Sequence, residues 1–93
     1  MAKVTLKLMT IFATDIGLTQ IDYSSVEILG DVINQFTSEY GKKIRKSLKD
    51  SQGNLANHVV ILVNGRNYMF LNELDTRLKD GDQITISPPL FGG

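Results

Sequence analysis

The sequence predicts an α+β domain in which one main amphipathic helix packs against a single mixed sheet, and three observations predict it. Segments with period-two alternation lie near both ends, around Val4-Thr5-Leu6-Lys7-Leu8 and Gln83-Ile84-Thr85-Ile86-Ser87. Between them one long stretch carries Val26, Leu29, Val32, Ile33, Phe36 and Tyr40 at helical spacing. Two strong turn signals, Asn64-Gly65 and Lys79-Asp80-Gly81-Asp82, divide the later apolar runs. With 93 residues there is room for one domain and one core, expected to span residues 1–93 with residues 88–93 as an extended, projecting tail.

Each element follows from its residues. In the opening strand Val4, Leu6 and Leu8 alternate with Thr5, Lys7 and Met9, and the apolar run is read on through Ile11 and Phe12. Residues 13–17 read as a connection closed by Gly17, and Ile21 and Tyr23, separated by Asp22, predict a second strand over residues 18–23. Ser24 followed by Glu27 offers a capping box for the helix. Gly30 inside that helix costs about 1 kcal/mol against alanine and points to a close approach of helix to sheet, while Gly41 is a candidate terminator. Ile44 and Leu48, four apart among basic residues, suggest a second short helix, and Asp50-Ser51-Gln52-Gly53-Asn54 reads as a flexible loop.

His58-Val59-Val60-Ile61-Leu62-Val63 predicts a buried strand, and Asn64-Gly65 supplies the positive φ values of a tight hairpin. A short, irregular strand is expected to return over residues 66–71, and after Leu74, Leu78 and the Lys79 to Asp82 turn a final strand runs from Gln83 to Ser87. The order strand, strand, helix, strand, strand, strand, with one main helix on one mixed sheet, is that of a β-grasp domain.

Composition excludes several kinds of chemistry. The chain has no cysteine, which removes disulfides, thiolate metal sites and cysteine nucleophiles, and His58 is its only histidine. Ten basic residues balance ten acidic ones, so no general attraction to nucleic acid is expected. The cluster Lys42, Lys43, Arg45, Lys46 and Lys49 and the acidic group Glu73, Asp75, Asp80 and Asp82 read as solvated faces. With no apolar run long enough for a membrane and no signal-peptide pattern, a cytoplasmic location is expected.

The chemistry that remains lies in Pro88-Pro89-Leu90-Phe91-Gly92-Gly93. Two prolines fix φ and withhold two donors, which ends sheet pairing and favours an extended exit. Gly92 and Gly93 then remove all side-chain bulk beside a carboxylate at the end of the tail. Such a chain can thread a narrow channel in another protein. An ionised carboxylate is a poor electrophile and must first be activated, as by adenylation, before a sulfur nucleophile can replace the leaving group. Leu90 and Phe91 either pack back on the domain or serve as an apolar handle for a partner. Leu62, Met69, Phe70, Ile84 and Ile86 either fill the core or form an interface, and Arg66 meets a neighbouring acid, a partner or solvent.

Val63-Asn64-Gly65, Leu78-Lys79-Asp80-Gly81-Asp82-Gln83-Ile84-Thr85-Ile86, Pro88-Pro89 and Gly92-Gly93 together resemble the small subunit of molybdopterin synthase, in the ubiquitin-like sulfur-carrier superfamily. The resemblance implies that the chain, not catalytic alone, bears a thiocarboxylate on Gly93 and donates sulfur for dithiolene formation in molybdenum-cofactor synthesis. It implies an E1-like adenylating enzyme that uses ATP, a sulfur donor system and the synthase large subunit as partners, with a transient acyl-adenylate and no stably bound cofactor or metal. Gly93 would carry the sulfur and Gly92 would allow channel entry, with Pro88, Pro89, Leu90, Phe91, Met69, Phe70 and Arg66 as candidate partner contacts. Phe91 stands where relatives often have a small residue. The alternatives are a thiamine or tRNA-thiolation type of sulfur carrier, or a ubiquitin-like modifier that forms isopeptide bonds through Gly93.

Overall fold

The computed structural model describes residues 2–44 and 59–88. Strand β1 (Ala2–Leu8) is followed by the short helix α1 (Ile11–Ile16), strand β2 (Gln20–Val26) and the main helix α2 (Leu29–Tyr40). Strand β3 (Val60–Val63), the two-residue strand β4 (Arg66–Asn67), single 3₁₀ turns at Tyr68–Phe70 and Glu73–Asp75, and strand β5 (Gln83–Ser87) complete the order. The five strands form one mixed sheet in the order β2-β1-β5-β3-β4. β1 and β5 are parallel, while β1 with β2, β3 with β5 and β3 with β4 are antiparallel. The expected α+β, ubiquitin-like β-grasp architecture is the observed one.

Alternation along the strands sets the two faces of the sheet. Val4, Leu6 and Leu8 of β1, Ile84 and Ile86 of β5, and Ile61 and Val63 of β3 are buried with Leu29, Val32, Ile33 and Phe36 of α2. The helical stripe read from the sequence therefore faces the sheet, although its first member, Val26, lies in β2. Each large side chain so buried contributes roughly 2 kcal/mol of apolar transfer free energy. On the other face, Lys7, Thr85 and Leu62 lie in one row across β1, β5 and β3 and are each half-buried.

Several local expectations are corrected. The opening strand does not continue through Ile11 and Phe12, because the chain turns at Thr10 (φ 45°) into α1, where Phe12 and Ile16, four apart, both reach the core. Gly17, at φ 84°, ends α1 in the left-handed region and donates its N–H to Ala13 O. Ser24 does not cap α2, since it lies within β2. Instead the Asp31 carboxylate in the first turn of α2 accepts from the N–H groups of Glu27 at 2.9 Å and Ile28 at 3.1 Å. The close approach at Gly30 is to the 3₁₀ turn, not the sheet: an added Cβ would sit 3.3 Å from Leu74 O. Gly41 takes the terminating position of α2 with a right-handed φ of −56°, donating its N–H to Thr37 O.

The hairpin at Asn64 (φ 52°) and Gly65 (φ 84°) is as expected. The returning strand is shorter than read, because the Asn67 side chain accepts from Met69 N–H at 2.9 Å and turns the chain into a 3₁₀ turn. Ile44 is buried; Leu48, the rest of the proposed second helix, the Asp50 to Asn54 loop and His58 lie outside the described residues.

The backbone N–H groups of Glu27, then Ile28, hold the Asp31 carboxyl below the ordinary carboxylate range. A lowered folded value means that the contribution is complete above about pH 4 and is lost as pH falls through that lowered value. We expect Asp31→Ala to cost about 1 kcal/mol at neutral pH, as for a lost helix cap, and to flatten the acid limb of the stability curve. Urea denaturation of both proteins across the acid range checks this. Phe36→Ala, which empties a fully buried site, is expected to cost about 3–5 kcal/mol in the same measurement at neutral pH.

Candidate functional site

The candidate tail leaves from the middle of the sheet. β5 is hydrogen-bonded on both sides, with Ile86 paired to Leu8 and to Ile61, and Ser87 paired to Val60. Met9 N–H adds a bond to Ile86 O at 3.0 Å, so pairing with the β1 side persists to the end of β5. Ser87 is buried, and its hydroxyl donates to Pro88 O at 2.8 Å. Pro88, half-buried, offers no N–H, and the ladder stops there. The base of the tail is thus held by its neighbours on both sides, while Pro89, Leu90, Phe91, Gly92 and Gly93 lie outside the described residues.

The other candidate residues are not gathered at this exit. Arg66 is exposed on β4, paired with Val63, which pairs with Ile84. Three steps along the strand take Ile84 to Ser87, or roughly 10 Å at about 3.3 Å each, so Arg66 belongs to the opposite end of β5 from Pro88. Met69 and Phe70 project from the 3₁₀ turn after β4, 65% and 87% exposed. Ile84 and Ile86, which the sequence left open between core and interface, are fully buried beneath α2, and Leu62 is half-buried on the other face.

The sequence reading missed two residues at the exit, Met9 and Leu18. Both are 44% exposed, a high value for side chains of that size. Met9 follows Leu8, the β1 residue paired with Ile86, and Leu8 N–H bonds to Thr19 O at 2.9 Å, which brings Leu18 to the same end of the sheet. An apolar rim therefore stands on the β1–β2 side of Pro88. The sequence did carry a signal, since Met9 occupies a position in the alternation that Thr5 and Lys7 mark as the non-core phase.

Among the described residues the two raised phenols belong to structural groups. Burial, reinforced by a 2.9 Å hydrogen bond to Glu39 and by its charge, pushes the Tyr23 phenol far above its ordinary value and ties β2 to α2. Tyr68 is raised by burial and by the charge of Glu73. Beyond Tyr23, Lys43 Nζ lies 5.9 Å from the Tyr40 ring centroid, and Tyr40 contacts Phe36 at 5.7 Å between centroids, which closes the end of α2. Among the described residues no three His, Cys, Asp or Glu side chains converge to hold a metal ion, and no helix is long and apolar enough to cross a membrane.

Comparison with known proteins assigns the family. The ThiS family model matches residues 9–93. Sulfur carrier protein CysO of Mycobacterium tuberculosis is 35% identical over 92 residues, covering 97% of this chain and 98% of that protein. Small archaeal modifier protein 3 of Haloferax volcanii is 35% identical over 65 residues, covering 70% of this chain and 68% of that protein. Among solved structures, small archaeal modifier protein 1 from Methanosarcina acetivorans superposes with a TM-score of 0.80 at 34% identity, covering 100% of this chain and 98% of that one. A sheet with β5 at its centre, a single main helix on one face and a family match extending through Gly93 lead to one assignment: the chain belongs to the ThiS family, within the β-grasp, ubiquitin-like sulfur-carrier superfamily.

Proposed function

We propose that this protein is a sulfur carrier whose working group is the carboxylate of Gly93. The observation that carries the reading is that the match to the ThiS family runs through Gly92-Gly93, downstream of a central strand fixed on both sides. The chemistry follows from the inertness of a carboxylate. An oxygen of Gly93 attacks the α-phosphorus of ATP in an E1-like partner, pyrophosphate leaves, and a mixed anhydride forms. Sulfide-level sulfur from a donor system then attacks the carbonyl carbon, AMP leaves, and the terminus becomes a thiocarboxylate. The protein contributes no base to these steps. Its part is to present a slender end from a rigid mount, with residues 88–93 as the projecting tail and Gly92 free of side-chain bulk for channel entry.

The acceptor of the sulfur is a separate question. Dithiolene formation with a molybdopterin synthase large subunit is the acceptor implied by the likeness of the Lys79 to Ile86 segment and the Pro88-Pro89 and Gly92-Gly93 ending. The names of the relatives, a sulfur carrier and small archaeal modifiers, lend more support to a carrier serving another pathway or to a modifier. In the modifier reading the activated Gly93 carbonyl is attacked by a lysine amine in place of sulfur, and an isopeptide bond forms. Both readings share the adenylate and part only at the nucleophile.

Incubation with a cognate activating enzyme, ATP and a sulfur donor is expected to yield the intact-protein mass for one oxygen replaced by sulfur. Absence of both adenylate and thiocarboxylate with a competent activating enzyme would sink the carrier reading, and lysine adducts in their place would favour the modifier. Gly93→Trp is expected to abolish loading without moving the thermal midpoint, because the reacting end adds little to the core. Equal loss of loading and stability would mean that the tail is structural.

The partner that takes the tail should also press on the apolar rim at its base. Met9→Asp and Leu18→Asp are expected to raise KM for adenylation by about tenfold while leaving kcat within about twofold, as for anchors worth more than about 1 kcal/mol at an interface. Initial rates across carrier concentration measure this, and an unchanged KM would exclude the rim from the contact.

A further inference from the structure

At the end of the sheet opposite Pro88, two turns are joined through one side chain. Asn64, in the β3–β4 turn, donates its backbone N–H to Gln83 O at 2.7 Å and accepts Gln83 N–H on Oδ1 at 2.9 Å. Its Nδ2 donates to Asp82 Oδ1 at 2.9 Å, while Asp82 Oδ2 accepts Lys79 N–H at 2.8 Å. Every polar group that Asn64 can direct across the gap is thus engaged on the turn leading into β5. The next residue, Gly65, is exposed at φ 84°, and a Cβ built there would meet nothing within 4 Å.

An asparagine followed by glycine can react with itself. Glycine places no side chain beside its amide nitrogen, so that nitrogen can approach the asparagine Cγ. The bond between Gly65 N and Asn64 Cγ forms, the Cγ–Nδ2 bond breaks, and the displaced nitrogen leaves as ammonia with the proton lost from the attacking amide. Water then opens the five-membered imide to aspartate or isoaspartate. No oxidant, reductant or cofactor is needed, and the exposed turn has water at hand. The step does require the Asn64 side chain to rotate out of its bonds to Asp82 and Gln83.

We propose that Asn64 is a spontaneous modification site, and that its clamp to Asp82 and Gln83 holds the deamidation in check while the protein is folded. The product is incompatible with the clamp as it stands. Conversion removes the Nδ2 donor and sets a second carboxylate where Asp82 Oδ1 lay 2.9 Å from a donor. Arg66, Arg77 and Lys79 line the same cleft and reduce the repulsion without restoring the lost bond. Deamidation therefore loosens the entry to the strand that mounts the tail, and each opening of the turn exposes the chain to an irreversible change.

The test is to age the full-length protein in mildly alkaline buffer and follow ammonia loss by intact mass and isoaspartate by enzymatic methylation, mapping the site by peptide mass. Folded wild type is expected to convert at least about tenfold more slowly than the same chain in denaturant, the factor that about 1.4 kcal/mol of clamping supplies. Asp82→Ala is expected to convert faster than wild type when folded. Because that variant also loses stability, Ile86→Val, destabilised in the core with the clamp intact, serves as the control. Conversion of Asp82→Ala no faster than Ile86→Val, or of folded wild type as fast as the denatured chain, would overturn the proposal. So would an Asn64→Asp variant with the thermal midpoint of wild type.

Discussion

The structure depends on the two-sided pairing of its last strand. β5 follows the other four strands in the chain and lies at the sheet centre, where it bonds to β1 in parallel and to β3 in antiparallel fashion. A central strand leaves no edge to fray, and its buried face carries Ile84 and Ile86 against α2. Such a strand gives the chain that follows it a fixed point of departure. The base at Ser87 and Pro88 is fixed by ladder bonds and by the Ser87 hydroxyl, and the ladder ends where proline withholds its N–H.

Both ends of β5 are secured, by different means. At its start Asp82 and Gln83 engage Asn64, while Lys3 N–H bonds to Asp80 Oδ1 at 2.9 Å and Gly81 N–H to Lys3 O at 2.9 Å. Hydrogen bonds to polar turn groups therefore set the register on both the β1 and β3 sides. At its finish the neighbours are apolar, with Val59 buried on one side and Met9 and Leu18 exposed on the other. Among the described residues β5 thus begins at a polar end held by turn hydrogen bonds and finishes at an apolar one, at Ser87 and Pro88.

Much of this was legible in the residues. Gln83 to Ser87 was read with its observed bounds, because alternation between two strong boundaries leaves no competing period. Asn64-Gly65 gave the hairpin because few residue pairs adopt two positive φ values without cost. The start of α2 was misplaced because Ser24 satisfies a local capping rule, yet β1 pairs with β2 through Val26, and the extended pairing outweighs the cap. At Ile11 and Phe12, adjacent apolar residues fit either period, and only the burial of Phe12 with Ile16 distinguishes helix from strand.

The sequence by itself determined the existence of the main helix and the strands, the fold class, the want of thiol chemistry and the presence of a bulk-free diglycine, because propensity, turn chemistry and side-chain inventory are local properties. Tertiary structure alone decided that Ile84 and Ile86 are core while Met69 and Phe70 are surface, that Arg66 stands away from the exit, and that Met9 and Leu18 border it. Those facts depend on which strand lies beside which and in what register. Pairing is settled by contacts between residues far apart in the chain, such as Leu8 with Ile86 and Asn64 with Asp82, which no local pattern encodes.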